Sequence, residues 1–210
     1  MPHLSCTALI TGFGPFPGVE FNISATLAER VGQSIQRRFP SSRVITAALP
    51  TEWDIAPERT SDPILEHQPT VAVHFGVSDI AQGFVVETIA RNATARADAA
   101  GIEPTTSEIE PFGPDTIATQ LPAARIDARL KRLGLPSRLS RDAGTYLCNA
   151  VFYRSLLTQS ELGQGGRSGF IHLPVSVRQP NSPVRDLAAP INFEGALRGG
   201  IEVISACLSQ

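Results

Sequence analysis

Residues 7–18 of the chain read Thr-Ala-Leu-Ile-Thr-Gly-Phe-Gly-Pro-Phe-Pro-Gly. The apolar run at residues 7–11 predicts a short buried strand, and the glycines and prolines that follow predict a loop from Gly12 to Gly18. Residues 24–39 then predict a helix, because apolar side chains recur there at a spacing of four on one face. A buried strand, a tight loop and an amphipathic helix in this order are typical of an α/β fold.

The same alternation continues to the end of the chain. Further strands are predicted at residues 43–49, 70–75, 84–90 and 169–173. A helix is predicted to end at residues 63–67, and others to cover residues 123–133, 145–157 and 193–208, the last capped by Asn192. Strands separated by helices favour a parallel or mostly parallel sheet with helices on both faces. The sequence therefore predicts an α/β fold, with residues 1–210 forming one domain.

Composition excludes several classes of protein. The 210 residues include 18 basic and 20 acidic side chains, for a net charge of −2, and 42% of them are hydrophobic. This hydrophobic content excludes a disordered chain, and the balanced charge offers no general field for DNA, RNA or an acidic membrane. No apolar stretch approaches the length of a membrane span. Neither a nucleic-acid partner nor a membrane is therefore expected.

Cysteine usage indicates the compartment. Cys6, Cys148 and Cys207 are too few, and odd in number, for a secreted disulfide scaffold. The first residues also lack the basic and apolar regions of a signal peptide. We therefore predict a cytoplasmic protein with free thiols.

The predicted architecture indicates where a functional site lies. In open α/β sheets, ligands bind at the carboxyl ends of the strands, in the loops beyond them. The loops of interest here are residues 12–18, 76–83, 141–148 and 172–179. Residues 93–115 show weak periodicity and are predicted to form a long surface excursion, which is a candidate for a site-covering loop.

The loop at residues 12–18 does not match a nucleotide-binding loop. Its glycines depart from the GxGxxG spacing of dinucleotide sites, and Pro15 and Pro17 lack the amides that cradle a phosphate. Phe13 and Phe16 would also obstruct the close approach of a phosphate. The loop is interpreted either as the apolar lip of a pocket or as a rigid structural turn.

Cys148 is the candidate nucleophile. Gly144 and Thr145 allow a sharp turn and a helix cap, which would place Cys148 in the first turn of a helix. The free amides and the positive end of the helix dipole there favour a thiolate and can hold an oxyanion. The alternative is a buried structural cysteine, a role that fits Cys6 and Cys207 better.

A cysteine nucleophile needs a base and a group that orients the base. His172 ends a predicted strand and is the candidate general base; a structural role for it stays open, and His74 is interpreted as a satisfied core histidine. Glu87 lies within an apolar strand, where an acid is costly unless it is paired, and is the candidate orienting carboxylate. Asp142 and Asp79 are the alternatives.

Metal chemistry is disfavoured. The sequence contains no CxxC, HxxxH or His-x-Glu pattern, and its cysteines are far apart. A metal cofactor is therefore not expected.

Four motifs in order resemble the pyroglutamyl peptidase I (pyrrolidone carboxyl peptidase) family of cysteine peptidases. Residues 11–24 resemble the family's TGFxPFGG opening and the Asn-Pro-Ser near it, and residues 76–92 resemble the segment that carries its catalytic Glu. Residues 143–149 are similar to AGTxxCN, and residues 169–174 to GFIHxP. The resemblance covers nearly the whole chain and implies a single-domain α/β/α open sandwich with a mostly parallel twisted sheet.

The resemblance also implies a reaction. Family members cleave an N-terminal pyroglutamate from peptides through a thioester, without metal or cofactor, and often assemble as homotetramers. Carried onto this chain, the resemblance implies Cys148 as nucleophile, His172 as base and acid, and Glu87 as the residue that orients His172. The expected partners are a peptide substrate with a blocked N-terminus and further copies of the chain.

Substrate-binding residues follow from the same motifs. Phe13 and Phe16 match the aromatic residues that sandwich the lactam ring, and Asn22 and Val77 lie in the matching segments. The chain departs from the family at Asn22-Ile-Ser, in the loop at residues 76–83, and at Val177-Arg-Gln, where relatives have Pro-Glu-Gln. The alternatives are therefore a related N-acyl or cyclic-amide hydrolase with altered acyl specificity, or a non-catalytic binding protein that uses the same pocket.

Overall fold

Strands and helices alternate along the chain in a computed structural model that describes residues 6–16, 19–20, 22–178 and 189–209. The strands are β1 (Thr7–Phe13), β2 (Arg43–Leu49), β3 (Val71–Ser78), β4 (Phe84–Glu87), β5 (Ile89–Arg91), β6 (Thr116–Ala118), β7 (Ser137–Ser140) and β8 (Arg167–Pro174). The helices are α1 (Ser24–Arg38), α2 (Ala56–His67), α3 (Ala123–Arg132), α4 (Leu147–Leu162) and α5 (Phe193–Leu208). The cap predicted for α5 is confirmed, since the Asn192 side chain accepts a hydrogen bond from the amide of Gly195 at 2.8 Å.

A six-stranded sheet forms the centre of the fold, in the order β2-β1-β3-β8-β4-β7. Neighbouring strands are parallel except β8 and β4, which run antiparallel. β5 and β6 form a separate antiparallel pair. The predicted α/β fold with a mostly parallel sheet is confirmed.

Side chains of each strand alternate between the two faces of the sheet, as the period of two in a strand requires. In β3, Val71, Val73 and Phe75 join the larger core, to which α1, α3 and α5 also contribute. His74 and Gly76 point to the opposite face, which α4 covers. Helices therefore lie on both faces of the sheet, and one face of β3 is turned toward the start of α4.

The interpretation of His74 as a core histidine is confirmed. The ring is fully buried, and its two nitrogens lie 2.7 Å from the hydroxyl oxygens of Thr11 and Ser155. Burial lowers the pKa of His74 to about 3, so the ring is neutral at physiological pH. Cys207 is also structural, since burial raises the pKa of its thiol to about 12.

The prediction of strand structure at residues 84–90 is confirmed except at Thr88, but its continuity is wrong, because this stretch forms two strands in different sheets. β4 ends at Glu87 in the large sheet, and β5 belongs to the two-stranded sheet. The chain leaves the large sheet at Thr88, whose amide and hydroxyl both donate to the carbonyl of Ser140 while its carbonyl accepts from Thr119. Apolar composition cannot indicate this break, since apolar residues occur in both strands, at Val85 and Val86 before it and at Ile89 and Ala90 after it.

Three elements were not predicted at all or only in part. β6 has three residues, and β7 is a four-residue edge strand whose two middle side chains are exposed, so neither carries a clear apolar pattern. Only the end of α2 was predicted. Pro63 lies inside this helix, at a position where proline normally interrupts one.

Residues 93–115 form the predicted excursion, which contains no helix or strand. Asn92 holds its far part, because the side-chain oxygen accepts hydrogen bonds from the amides of Ile109 and Glu110 at 2.8 and 2.9 Å. Arg154 of α4 adds an ion pair with Glu110 at 2.6 Å. The excursion therefore packs on α4, the helix that carries Cys148.

Close packing of α1 against the end of β1 generates a test of the fold. A Cβ on Gly12 would lie 2.1 Å from the backbone oxygen of Ser24, whereas a Cβ on Gly14 would meet nothing within 4 Å. We expect Gly12→Ala to lower the free energy of unfolding by about 1–3 kcal/mol, and Gly14→Ala to change it by less than about 0.5 kcal/mol. Urea unfolding followed by circular dichroism measures both values. Equal destabilisation by the two substitutions would contradict this packing.

Candidate active site

Cys148 is the second residue of α4, as predicted for a residue in the first turn. The chain reaches the helix through Gly144, with φ +79°, and through Tyr146, whose extended backbone precedes the helix and whose side chain makes no capping hydrogen bond. The first amides of the helix are therefore not capped by this side chain. They and the positive end of the helix dipole can act on an anion at this place.

The sulfur of Cys148 lies directly over Gly76 of β3. A Cβ on Gly76 would lie 3.1 Å from Sγ of Cys148 and 2.7 Å from Cζ of Phe170. Gly76 is also the partner of His172 in the pairing of β3 with β8. The lack of a side chain at position 76 thus lets the thiol approach the sheet beside His172.

His172 and Glu87 form a buried pair across β8 and β4. Nδ1 of His172 lies 2.9 Å from Oε1 of Glu87, and the two residues are 7% and 2% exposed. The alternative carboxylates lie elsewhere: Asp142 is exposed and accepts a hydrogen bond from the amide of Gly144, and Asp79 is also exposed. The structure therefore brings Glu87, rather than Asp142 or Asp79, to His172.

The charged neighbours of His172 decide its protonation. Burial lowers the pKa of the ring, but the charge and hydrogen bond of a Cys148 thiolate, together with the hydrogen bond and charge of Glu87, outweigh burial and raise the pKa to about 9. At neutral pH, His172 therefore carries a proton that it can donate.

Phe13 lies at the end of β1 and is linked to this site through Phe170. The ring centroids of Phe13 and Phe170 are 6.4 Å apart, and those of Phe170 and His172 are 4.8 Å apart. Phe16 is half-buried, and its backbone forms a bridge with Val19. Phe13 is thus the last residue of β1, and Phe16 lies in the loop beyond it.

Asn22 is buried and supports this loop. Its side-chain oxygen accepts hydrogen bonds from the amide and the hydroxyl of Ser24, at 3.0 and 2.8 Å. The Ser24 hydroxyl in turn accepts a hydrogen bond from the amide of Phe13 at 2.9 Å. Asn22 therefore fixes the position of Phe13 through Ser24.

The Val77 side chain lies on the opposite face of the sheet from Cys148. It is half-buried and packs against the larger core, in keeping with the alternation along β3. On the face of the sheet that carries Gly76 and His172, Val77 contributes main-chain atoms rather than its side chain.

Sequence reasoning missed an aromatic cluster next to Cys148. The rings of Tyr146 and Trp53 meet edge to face with centroids 5.7 Å apart, and the guanidinium carbon of Arg96 lies 5.6 Å from the centroid of the Tyr146 ring. Burial and the charges of Asp98 and Cys148 raise the pKa of Tyr146. The one available signal was Trp53, the single tryptophan of the chain, but its partners are far away in the sequence.

Asn149 is a second residue whose role the sequence did not indicate. It is fully buried directly after Cys148, and its carboxamide hydrogen-bonds to the backbone of Arg91 and Ala93. A buried amide in an apolar helix was a visible signal, because such a group needs partners. The sequence could not show which backbone supplies them.

The described residues contain neither a metal-binding cluster nor a membrane-spanning helix. No group of three or more His, Cys, Asp and Glu side chains in the described ranges is arranged to hold a metal ion. Within the same ranges, none of the helices has the length and hydropathy needed to cross a bilayer.

Comparison with known proteins gives consistent matches. A model of the pyroglutamyl peptidase family matches residues 6–205. The chain is 34% identical to a pyrrolidone-carboxylate peptidase of Bacillus subtilis, over 81% of this chain and 79% of the relative. It is 30% identical to one of Cupriavidus pinatubonensis, over 97% of this chain and 93% of the relative. A solved structure of a mutant pyrrolidone carboxyl peptidase from Pyrococcus furiosus shares the fold with a TM-score of 0.84 and 28% identity, over 96% of this chain and 98% of that one.

These matches confirm the resemblance that the four motifs indicated. The family match begins before β1 and continues into α5, so it includes every loop at the candidate site. We conclude that this chain belongs to the pyroglutamyl peptidase family, whose members are cysteine-type omega-peptidases.

Proposed function

We propose that this chain removes N-terminal pyroglutamate from peptides, with Cys148 as nucleophile, His172 as acid and base, and Glu87 as the group that orients His172. The observation that carries the proposal is the position of the Cys148 sulfur over Gly76, beside a His172 ring whose Nδ1 lies 2.9 Å from Glu87. A thiol, a base and an orienting carboxylate in this relation meet the requirements of covalent catalysis. Membership of the family supports pyroglutamate as the acyl group.

In the first half of the reaction, the Cys148 thiolate attacks the carbonyl carbon that joins pyroglutamate to the next residue. The carbonyl oxygen becomes an oxyanion, which the uncapped amides at the start of α4 stabilise. As the tetrahedral intermediate collapses, the carbon–nitrogen bond breaks and His172 gives its proton to the departing amine. A thioester between pyroglutamate and Cys148 remains.

In the second half, His172 acts as a base. It takes a proton from a water molecule, whose oxygen attacks the thioester carbon. The carbon–sulfur bond then breaks, pyroglutamic acid leaves, and Cys148 and the protonated His172 are restored. Glu87 keeps the ring oriented through Nδ1 and stabilises its positive charge during both halves.

Recognition of the acyl group fits the loop beyond β1. A lactam ring is flat and uncharged, so it needs apolar faces and a few amide partners. We propose that Phe13 and Phe16 supply those faces, that Asn22 keeps Phe13 in place through Ser24, and that Val77 takes part through its main chain. The contacts of Asn22 with Ser24 and the direction of the Val77 side chain support these two indirect roles.

Three wider properties belong to the same proposal. We propose that residues 1–210 act as one domain, because α5, near the end of the chain, packs into the core that also contains β1. We propose a reducing, cytoplasmic compartment, in which the free thiols persist. We also propose a homo-oligomer, with a tetramer as its form. This rests on the resemblance to the pyroglutamyl peptidase family, whose members often assemble as homotetramers.

An altered acyl specificity or a non-catalytic binding role is the alternative. Altered acyl specificity was suggested by the loop at residues 76–83, whose sequence differs from that of the family. The Val77 side chain faces away from Cys148, however, and Ile80 is 73% exposed, so neither side chain favours this alternative. A panel of N-terminally blocked peptides distinguishes it from pyroglutamate removal. The rate of Cys148 alkylation at pH 6 distinguishes an activated thiol from that of a binding protein.

Loss of the nucleophile is the first test of the reaction. We expect Cys148→Ala to lower kcat on pyroglutamyl-aminocoumarin by at least about a thousandfold, because the attacking sulfur is lost. The thermal unfolding midpoint is expected to stay unchanged. Cys6→Ala is the matched control and retains activity, since Cys6 lies at the other end of β1. Full activity in Cys148→Ala would exclude the proposed mechanism.

The alkaline limit of activity tests the role of Glu87. The charge and hydrogen bond of Cys148, and after them the hydrogen bond and charge of Glu87, raise the pKa of His172 to about 9, so the protonated ring is lost above that pH. Removing the negative charge of Glu87 in Glu87→Gln lowers the pKa of His172. We therefore expect the alkaline limb of kcat/KM to move to lower pH. Asp142→Asn is the control and leaves the limb in place. An unmoved limb in Glu87→Gln, or equal movement in the control, would reject this role.

A further inference from the structure

The residue after the nucleophile connects two parts of the site. Oδ1 of Asn149 accepts a hydrogen bond from the amide of Arg91 at 2.9 Å, and Nδ2 donates to the carbonyls of Arg91 and Ala93 at 2.8 and 3.1 Å. Asn149 is fully buried, so these polar groups depend on one another for partners. The carboxamide thus takes the place that a neighbouring strand would have beside this stretch of backbone.

Further contacts fasten the same stretch to the start of α4. The amide of Ala95 donates to the carbonyl of Thr145 at 2.8 Å. Arg96 has a backbone φ of +71°, which side chains rarely adopt, and its carbonyl accepts a hydrogen bond from the indole of Trp53 at 3.0 Å. We call residues 91–96 the wall segment. Its alternate residues Arg91, Ala93 and Ala95 are bonded either to Asn149 of α4 or to Thr145, which lies just before that helix.

Arg96, the last residue of the wall segment, contacts the aromatic cluster of Tyr146 and Trp53. The guanidinium of Arg96 stacks over Tyr146, and Trp53 meets the edge of the same ring. Tyr146 lies two residues before Cys148 and close enough for the charge of Cys148 to affect its hydroxyl. Movement of the wall segment would therefore release a ring that adjoins the nucleophile.

We propose that Asn149 is a positioning residue for substrate: it holds the wall segment against α4 and so fixes the Tyr146 ring as an apolar surface of the acyl-binding site. The proposal rests on the proposed function. An apolar surface contacts the lactam ring equally in the ground state and in the transition state, so its loss weakens binding without slowing the chemical step. Asn149 therefore affects KM, whereas Glu87 and His172 affect kcat.

The test compares three alanine variants. With pyroglutamyl-aminocoumarin, we expect Asn149→Ala to raise KM by about tenfold and Arg96→Ala by about threefold, each with kcat within about threefold of the wild type. Arg154→Ala is the matched control, since the Arg154 side chain also joins α4 to the excursion, but at its far part, through Glu110 and Ile109. It lowers the unfolding midpoint and leaves KM unchanged. Arg96 is exposed, so we expect Arg96→Ala to fold even if Asn149→Ala does not.

Three results would overturn the proposal. The first is an equal rise in KM in Arg154→Ala and Asn149→Ala, which would indicate general loosening. The second is an unchanged KM in Arg96→Ala. The third is a fall in both kcat and the alkylation rate of Cys148 in Asn149→Ala, which would place the effect on the nucleophile itself.

A turnover-free measurement separates this proposal from the proposed function. The bare lactam 2-pyrrolidone is used as the probe, and its protection of Cys148 from iodoacetamide reports binding of the ring. We expect both Asn149→Ala and Arg96→Ala to need more 2-pyrrolidone for equal protection. If 2-pyrrolidone protects Cys148 in the wild type but the reporter is not cleaved, the proposed reaction is rejected. The role of Asn149 is then decided by comparing the 2-pyrrolidone concentrations that the wild type and the variants need for equal protection. A wild type that shows neither turnover nor protection would reject both.

Discussion

The contact between Glu87 and His172 is the constraint on which the rest of the site depends. A carboxylate buried to 2% exposure is costly unless a partner stabilises its charge. The sheet supplies that partner by its one reversal of direction, where β4 runs antiparallel to β8 and Glu87 comes within 2.9 Å of the His172 ring. A fully parallel sheet would not bring these two positions together in the same way. The fold and the chemistry of the site are therefore linked at a single pair of strands.

Two histidines on the same face of the sheet show how neighbours determine protonation. His74 and His172 are both buried, and both lie against the ring of Phe170. Hydroxyl groups alone meet the nitrogens of His74, and burial lowers its pKa to about 3. Charged groups meet His172 and raise its pKa to about 9. Burial acts in the same direction on both rings, so the difference comes from Cys148 and Glu87.

Local patterns predicted much of the fold, because β2 and α5 have the predicted bounds and β1 begins where the apolar run begins. The predictions failed where residues that are far away in the sequence decide the local structure. The chain leaves the large sheet at Thr88 through bonds to Ser140 and Thr119, and no pattern within residues 84–90 records those partners. The candidate site shows the same division. Position at the end of an element indicated Cys148 and His172, and an acid within an apolar strand indicated Glu87. The partners of Asn149 and Tyr146 instead depend on how the excursion returns to α4.

The approach of Cys148 to Gly76 also bears on how such a site can change over time. The sulfur lies in contact with the place that any side chain at position 76 would occupy, so the helix start and the strand are spaced to fit a sulfur atom. Oxygen is smaller than sulfur and sits on a shorter bond to carbon. A serine at position 148 would therefore leave a gap above Gly76 and would hold its oxygen farther from the sheet. A change of the nucleophile and the addition of a side chain at position 76 are thus coupled, because both alter the same contact between α4 and β3.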